Sequence, residues 1–240
     1  MTTRRLLLHA GGSLASATAE IGEHLAGAQH AVFIPYAGRD HDDHAALTAQ
    51  RLAELGVRLT GVQAWPDPAA AVAEADAIVV GGGNSFRLVR ALHELRLIEP
   101  IRRRVAEGVP YAGWSAGANV ACPTMRTTND MPIVQPSTFD ALGLVPFQIN
   151  PHYIDDPLPE QRVGETRSQR IREFLDENDV LVLALRENSW LLVSDDTMTL
   201  RGTAGAVLLR RGDAARELKP GADISELLHA SPRFDVALES

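Results

Sequence analysis

Short, continuous apolar runs alternate with stretches of helical spacing along the first half of the chain. Continuous apolar runs are typical of strands buried on both faces, because helices then cover both sides of a parallel sheet. Each run is also followed by a loop and a helix-like stretch. We therefore predict an α/β fold with a mostly parallel sheet sandwiched by helices. The predicted strands occupy residues 6–8, 31–34, 57–62, 77–80 and 109–112.

The second half of the chain predicts a different arrangement. A charged amphipathic helix over residues 166–178 precedes the most apolar run, residues 180–185. Three more apolar stretches follow at short spacing, separated by Asp and Gly residues, which is typical of antiparallel hairpins. They lie at residues 190–194, 197–200 and 206–209. We expect them to be antiparallel edge strands, and we expect residues 1–240 to form a single α/β domain because no linker or repeat interrupts them.

Charge and cysteine content exclude several classes of protein. The formal net charge of -8 argues against a nucleic-acid partner, since phosphate binding depends on clustered Lys and Arg. Cys122 is the sole cysteine, so the sequence holds no disulfide framework and no cysteine-based metal site. The apolar run at residues 6–8 is too short for a signal peptide, and no apolar segment approaches membrane-spanning length. We expect a cytoplasmic protein with no membrane partner.

A serine motif follows the fifth predicted strand. Residues 113–117 read G-W-S-A-G, and the residues after them suit a helix that extends to Cys122, before Pro123. The pattern G-x-S-x-G places a serine on a sharp strand-to-helix turn, with its hydroxyl clear of the sheet. Gly113 and Gly117 tolerate strained dihedral angles and leave room for a substrate. Ser115 is therefore the candidate nucleophile, and the alternative is a glycine-rich turn that contains an incidental serine.

A glycine loop ends the fourth predicted strand. Residues 81–85 read G-G-G-N-S and precede a helix, so their backbone N–H groups form an anion site. The loop has neither the G-x-G-x-x-G spacing nor the P-loop lysine, which argues against a nucleotide site. The carboxyl ends of parallel strands share one edge of a sheet, so this loop and Ser115 should be neighbours. The N–H of Ala116 and one from residues 82–83 would then form an oxyanion hole.

A base and an orienting acid complete a serine hydrolase. His152 follows a predicted strand at a proline-fixed turn and is the best candidate base. Glu187 follows the most apolar strand, so its carboxylate should lie at the active edge of the sheet. Asp130 is the alternative acid, because it gives the chain order Ser, Asp, His known from α/β-hydrolases. In that fold, however, the histidine lies much further along the chain from the serine than His152 lies from Ser115.

One short segment carries four candidate metal ligands. Residues 41–44 read H-D-D-H, and all four side chains can bind a metal ion. Acidic residues are nevertheless expected at the start of a helix, where they cap it and complement its dipole. No third group of ligands is evident in the sequence. We predict no metal and no cofactor.

Several motifs in matching order closely resemble the peptidase E family of α-aspartyl dipeptidases. These serine peptidases have a fold similar to class I glutamine amidotransferases, within the flavodoxin-like class. The resemblance runs from about residue 6 to about residue 209. It rests on residues 81–84, 113–119, 126–132, 150–153 and 164–167. An amidotransferase itself would carry cysteine at the position of Ser115.

The resemblance implies hydrolysis of dipeptides with an N-terminal L-aspartate. Ser115 would be the nucleophile, His152 the base, and the backbone of Gly83 and Ala116 the oxyanion donors. The family's third residue has been placed both at Glu187 and at Asp130. The strand-end argument favours Glu187 as the orienting residue, and Asp130 would then order its loop or contact the substrate.

The same resemblance implies the substrate contacts. Arg167 would pair bidentately with the β-carboxylate of the substrate, and Asn84 would also contact it. The alternative interpretation is that Arg167 is a surface charge without a role in binding, at a helix start, where a cation is mildly unfavourable. Around the acid, residues 186–190 read R-E-N-S-W, whereas the family is expected to have a shorter pattern there.

Two other functions stay open on the sequence alone. One is a cyanophycinase-like hydrolase of β-aspartyl bonds, which shares the serine motif. The other is a non-catalytic protein that binds a small acid on the same scaffold. In each case the expected partner is a small molecule, and the expected assembly is a monomer or a homodimer.

Overall fold

The structure is a computed structural model that describes residues 4–157 and 164–236. The described residues form eleven strands and seven α-helices. The strands are β1 Arg5–His9, β2 Ala31–Ile34, β3 Leu59–Gly61, β4 Ala77–Val80, β5 Tyr111–Trp114, β6 Gln148–Tyr153, β7 Val182–Arg186, β8 Ser189–Ser194, β9 Thr197–Gly202, β10 Ala206–Leu209 and β11 Arg216–Leu218. The helices are α1 Thr18–His24, α2 His41–Ala53, α3 Pro68–Glu74, α4 Ser85–Glu94, α5 Ile98–Ala106, α6 Ala116–Asn119 and α7 Arg167–Glu177.

The larger sheet has seven strands in the order β3-β2-β4-β5-β1-β8-β9. Its first five strands are parallel, and β8 and β9 continue it with antiparallel pairing. This confirms the predicted mostly parallel sheet with antiparallel edge strands. The order places β4 beside β5, and β1 on the other side of β5. The loops after these three strands therefore meet at one edge of the sheet.

A second sheet has four strands in the order β11-β10-β7-β6. The sequence did not indicate it: β6 and β7 pair in parallel, and β10 pairs with β7 rather than with β9. β11 was missed because its residues, R-E-L, carry two charges and are largely exposed. The chain crosses from the smaller sheet to the larger one between β7 and β8. Only Glu187 and Asn188 lie at that crossing.

Alternate residues of the central strands pack into apolar clusters on opposite faces of the larger sheet. Leu6 and Leu8 belong to one cluster and Leu7 to the other, and all four residues of β4 are buried. Both faces are therefore covered, which explains the continuous apolar runs. The smaller sheet shares the first cluster through Leu183 and Leu185. Its other face packs against α7, through buried residues such as Ile171.

Helix α6 is shorter than the sequence predicted. The predicted helix extends to Cys122, whereas α6 ends at Asn119. The reason is that the carbonyl groups of Val120 and Ala121 accept hydrogen bonds from Leu142 and Leu144, in the returning loop. In the described part of the chain, no helix has the length and apolar character needed to cross a bilayer.

Candidate active site

Ser115 lies on a strained turn between β5 and α6. Its φ is 54° and its ψ is -113°, a conformation that L-residues rarely adopt. The backbone N–H of Ser115 donates to the carbonyl of His9 at 2.9 Å. A Cβ on Gly117 would lie 2.2 Å from the carbonyl oxygen of Val80, so only glycine fits beside the serine. The G-x-S-x-G turn thus has the geometry that the sequence predicted.

His152 reaches Ser115 from the smaller sheet. Its Nε2 lies 2.8 Å from Oγ of Ser115. The residue has a φ of 55°, and the pairing of β6 with β7 shifts register between Asn150 and Tyr153. The side-chain amide of Asn129 donates to the carbonyl of Pro151 at 2.6 Å and holds the peptide before His152. The local irregularity turns the imidazole out of the strand toward the serine.

Glu187 binds the other side of the imidazole. Its Oε1 lies 2.8 Å from Nδ1 of His152. An ionised carboxylate can only accept, so Nδ1 donates to Glu187, and in the tautomer with its proton on Nδ1 the Nε2 atom accepts from the hydroxyl of Ser115. Serine, histidine and carboxylate thus form one hydrogen-bonded chain of the kind that activates a nucleophile. The acid comes from the crossing between the two sheets.

Asp130 is hydrogen-bonded elsewhere, whereas Nδ1 of His152 has Glu187 as its partner. Oδ2 of Asp130 accepts the backbone N–H of Ser85 at 2.6 Å and the hydroxyl of Thr128 at 3.1 Å. A carboxylate at the start of α4 is favoured by the unpaired N–H groups there and by the helix dipole. Asp130 therefore ties its loop to α4, which fits the alternative in which Asp130 orders that loop.

Asn84 caps the same helix. Its Oδ1 accepts the N–H of Arg87 at 3.0 Å, and its Nδ2 donates to the carbonyl of Met131 at 2.9 Å. Both ends of the side chain thus bind the protein. The contact of Asn84 with a substrate stays a prediction.

The glycine loop packs directly against the serine. A Cβ on Gly82 would lie 3.1 Å from Cβ of Ser115, and Gly83 has a φ of 137° with its Cα against the backbone of Ala37. In the described residues, neither the N–H of Gly83 nor that of Ala116 donates to a protein acceptor. One of these unused donors lies in the loop that packs on Ser115 and the other on the residue after it, and such donors are the elements of an oxyanion hole.

Arg167 supplies a positive charge that the protein leaves unused. It is the first residue of α7, after Thr166, which forms a capping box with Gln169. Within the described ranges, its half-buried guanidinium makes no hydrogen bond and no ion pair. Burial lowers its pKa, nearby Arg170 acts in the same direction, and Asp130 opposes both.

Comparisons with known proteins show the family of the chain. The family model described as peptidase family S51 matches residues 6–201. The chain belongs to peptidase family S51. Family S51 comprises serine peptidases, so the chain is a serine peptidase and acts on peptide substrates.

Individual relatives cover almost the whole chain. Peptidase E of Streptomyces coelicolor is 50% identical over 232 residues, which are 97% of this chain and 96% of that protein. Peptidase E of Citrobacter koseri is 49% identical over 204 residues, 84% of this chain and 89% of that protein. The crystal structure of a peptidase from an acI-B1 Actinobacterium has a TM-score of 0.68 at 18% identity, and covers 92% of this chain and 96% of that one. The last similarity supports the fold alone.

Sequence reasoning missed the part of this S51 site that comes from β1. A Cβ on Gly11 would lie 2.1 Å from Cε1 of His152, and one on Gly12 would lie 3.2 Å from Oε2 of Glu187. The available signal was the sequence H-A-G-G at the end of the first predicted strand, which neighbours the strand of Ser115. Among the described side chains, no group of three or more His, Cys, Asp and Glu could hold a metal ion.

Proposed function

We propose that the protein is a dipeptidase that hydrolyses dipeptides with an N-terminal L-aspartate. The observation that carries the proposal is the hydrogen-bonded chain Ser115, His152 and Glu187, with an unpaired cation, Arg167, on a neighbouring helix. The name of the relatives, peptidase E, is consistent with this substrate class. The proposal also places the reaction in the cytoplasm, in keeping with a sequence whose sole cysteine is buried and free.

The reaction begins with Ser115 as the nucleophile. Oγ attacks the carbonyl carbon of the aspartyl residue while Nε2 of His152 takes the hydroxyl proton. Glu187 stabilises the imidazolium that forms and keeps the ring oriented. The negative charge on the former carbonyl oxygen is stabilised by the N–H groups of Gly83 and Ala116, which have no acceptor in the described protein.

The second half of the reaction returns the serine to its starting state. His152 gives its proton to the leaving amine, so the second amino acid departs and an aspartyl ester remains on Ser115. A water molecule then attacks the ester, and His152 takes its proton. Collapse of this second intermediate breaks the ester bond, reprotonates Oγ and releases L-aspartate. No cofactor is required by this sequence of steps.

Specificity for aspartate depends on Arg167 in this proposal. A guanidinium binds a carboxylate through two parallel hydrogen bonds, and a half-buried one does so with less competition from water. The first-position side chain of the substrate would thus be selected by charge and by shape. Asn84 would hold the loop that borders the substrate, through its bonds to Arg87 and Met131.

The test is release of free aspartate from Asp-Leu by the purified protein, with Leu-Leu and the isoaspartyl isomer of Asp-Leu as parallel substrates. We expect cleavage of Asp-Leu alone, and a loss of roughly four orders of magnitude or more in kcat for Ser115→Ala with an unchanged thermal unfolding curve. Cleavage of the isoaspartyl isomer alone would indicate a β-aspartyl hydrolase. Inertness toward all three, with saturable binding of aspartate, would indicate a binding protein.

A further inference from the structure

The loop after β1, residues 9–12, lies directly behind the serine and the histidine. The carbonyl of His9 accepts the N–H of Ser115 at 2.9 Å. The α-carbon of Gly11 faces the imidazole of His152 so closely that a methyl group there would lie 2.1 Å from Cε1. The position of the ring is therefore limited on one side by the Gly11 backbone.

The same loop also lies against the acid. A methyl group on Gly12 would lie 3.2 Å from Oε2 of Glu187. The carbonyl of Gly11 accepts the N–H of Asn188 at 3.1 Å, which joins the loop to the crossing between the sheets. All three members of the hydrogen-bonded chain thus border the 9–12 loop: Ser115 contacts His9, His152 contacts Gly11 and Glu187 contacts Gly12.

The side chain of His9 fixes Gly11 from within. Its Nδ1 accepts the N–H of Gly11 at 3.0 Å. An acceptor on residue i that binds the N–H of residue i+2 is the arrangement of an Asx turn, here formed by an imidazole. The ring of His9 is fully buried and stacks on Trp190, with centroids 5.4 Å apart and planes 17° apart.

This arrangement leaves a polar group unsatisfied. Because Nδ1 accepts, the ring proton is on Nε2, and Nε2 is buried without a hydrogen-bond partner in the described structure. A buried donor without an acceptor is unfavourable, so the imidazole is not the residue that packing alone would select. Departures of this kind are expected at functional sites.

We propose that His9 is a positioning residue for hydrolysis, holding the Gly11 peptide so that the imidazole of His152 stays in register with Ser115 and Glu187. The proposal rests on the function proposed above, in which His152 is the base. The side chain of His9 is fully buried, so it acts through the Gly11 backbone and not on the substrate. Burial, with a smaller contribution from His152, lowers the pKa of His9 to about 4, so its Nδ1 remains an acceptor at neutral pH.

Two variants separate the hydrogen bond from the packing. His9→Asn keeps an acceptor for Gly11, since Oδ1 of asparagine is the usual acceptor in this turn, but loses the ring over Trp190. His9→Phe keeps a ring over Trp190 and loses the acceptor. In His9→Phe, the unpaired Nε2–H is exchanged for an unpaired N–H on Gly11, so the net change in stability is small.

Kinetics and thermal unfolding should therefore rank the two variants in opposite orders. For Asp-Leu hydrolysis we expect kcat to fall roughly tenfold or more in His9→Phe and to stay within about threefold in His9→Asn, with KM unchanged in both. We expect His9→Asn to have the lower Tm, because it leaves a cavity beside Trp190. A kcat that follows Tm across the two variants would overturn the proposal. If His9→Phe does not fold, His9→Asn alone decides: a kcat that falls by much more than about threefold from the wild-type value overturns the proposal.

A second readout keeps this proposal separate from the substrate assignment. The rate at which a fluorophosphonate modifies Ser115 depends on the base and not on any peptide. We expect the same order of rates, wild type and His9→Asn above His9→Phe. If the wild-type protein reacts with the fluorophosphonate but does not cleave Asp-Leu, the substrate assignment fails while the role of His9 is still tested. Equal rates in the three proteins would exclude the role of His9.

Discussion

At the scale of single residues, Glu187 and Asp130 differ in what they bind. Glu187 accepts from the imidazole of His152, whereas Asp130 accepts from Ser85 and Thr128. In Glu187→Gln the amide can offer an N–H where His152 needs an acceptor, which favours the wrong tautomer. We expect kcat for Asp-Leu to fall by about two to four orders of magnitude, with little change in Tm.

Asp130→Asn is the matched comparison. Its remaining carbonyl oxygen can still accept from the start of α4, so we expect a loss of stability of about 1 kcal/mol and a much smaller change in kcat than in Glu187→Gln. Kinetics and thermal unfolding of both variants should be measured in one experiment. A larger loss of kcat in Asp130→Asn than in Glu187→Gln, at equal stability, would indicate that Asp130 and not Glu187 orients the histidine.

Replacing Arg167 should change KM, whereas replacing Glu187 should change kcat. The Arg167 guanidinium is half-buried and free of protein partners in the described chain, so its removal should weaken binding of the substrate carboxylate. We expect Arg167→Ala to raise KM for Asp-Leu roughly tenfold to a hundredfold, from the loss of a charge-assisted pair. Any residual cleavage of Asn-Leu should change much less.

Arg170→Ala provides the control for Arg167. Arg170 lies on the same helix and is exposed, and it pairs with Glu165 at 2.8 Å. Removing Arg170 lowers the positive charge of α7 by the same amount but leaves the guanidinium of Arg167 in place. An equal rise in KM in the two variants would show that the general field of the helix, and not a specific pair, attracts the substrate.

The residues that could be predicted from the sequence are those marked by local geometry. Ser115 lies in the G-x-S-x-G pattern, which is typical of a strand-to-helix turn. Glu187 follows a strand that can be located because its apolar run is continuous and ends just before it. Asn129 carries no such mark, and the H-A-G-G sequence that contains Gly11 marks a turn without showing what the turn contacts. The importance of Asn129 and Gly11 depends on the approach of His152 from a separate sheet, which no local pattern describes.

At the scale of elements, the loop at residues 124–130 holds β6 in the conformation that the site needs. Asn129 donates to the carbonyl of Pro151 at 2.6 Å and accepts from the amide of Asn150 at 2.9 Å. Asn129→Asp removes the donor and sets a carboxylate against that carbonyl, which frees the peptide before His152. We expect kcat for Asp-Leu to fall roughly tenfold as the imidazole loses its fixed position.

Asn178→Asp is a closely matched control for Asn129→Asp. The side chain of Asn178 donates to the carbonyl of Phe174 at 2.7 Å and accepts the N–H of Asp235 at 3.0 Å, at the far end of α7. Both changes should lower stability by about 1 kcal/mol, and only Asn129→Asp should lower kcat. Equal kcat values in the two variants would exclude the loop as a support of the histidine.

The elements of the larger sheet were more predictable than the pairing of the later strands. β4 and β10 begin and end where their apolar runs do, because strands buried on both faces leave a continuous signal. The partners of β7 could not be predicted, since a buried run pairs equally well with several neighbours. The second sheet arises because β7 pairs with β6 on one side and β10 on the other.

At the scale of the whole molecule, the site belongs to the junction between two sheets. Ser115 comes from the larger sheet, His152 from the smaller one, and Glu187 from the two-residue crossing between them. The sheets share one apolar cluster, in which Leu8 of β1 and Leu183 of β7 are both fully buried. The distances between these three side chains are thus set by the packing that holds the sheets together.

The same packing buries two histidines in their neutral form and makes stability depend on pH. Burial lowers the pKa of His24 from 6.5 to about 4; Arg5 acts in the same direction, and the hydrogen bond to the carbonyl of Tyr111 opposes both. Burial lowers the pKa of His9 to about 4 as well. Above pH 6.5 these histidines are neutral in both the folded and the unfolded chain, so they add no dependence on pH.

Between pH 6.5 and pH 4 the unfolded chain binds protons that the folded chain excludes, so stability must fall as the pH is lowered. Each histidine can contribute on the order of 3 kcal/mol to this fall. His24→Gln keeps an N–H donor for the carbonyl of Tyr111 and cannot titrate, so we expect a flatter decline of Tm across this interval than in the wild type. The measurement is thermal unfolding at several pH values from 4 to 8. Parallel curves for the two proteins would mean that His24 is protonated within the fold, and that the burial of its ring does not govern the acid stability of the molecule.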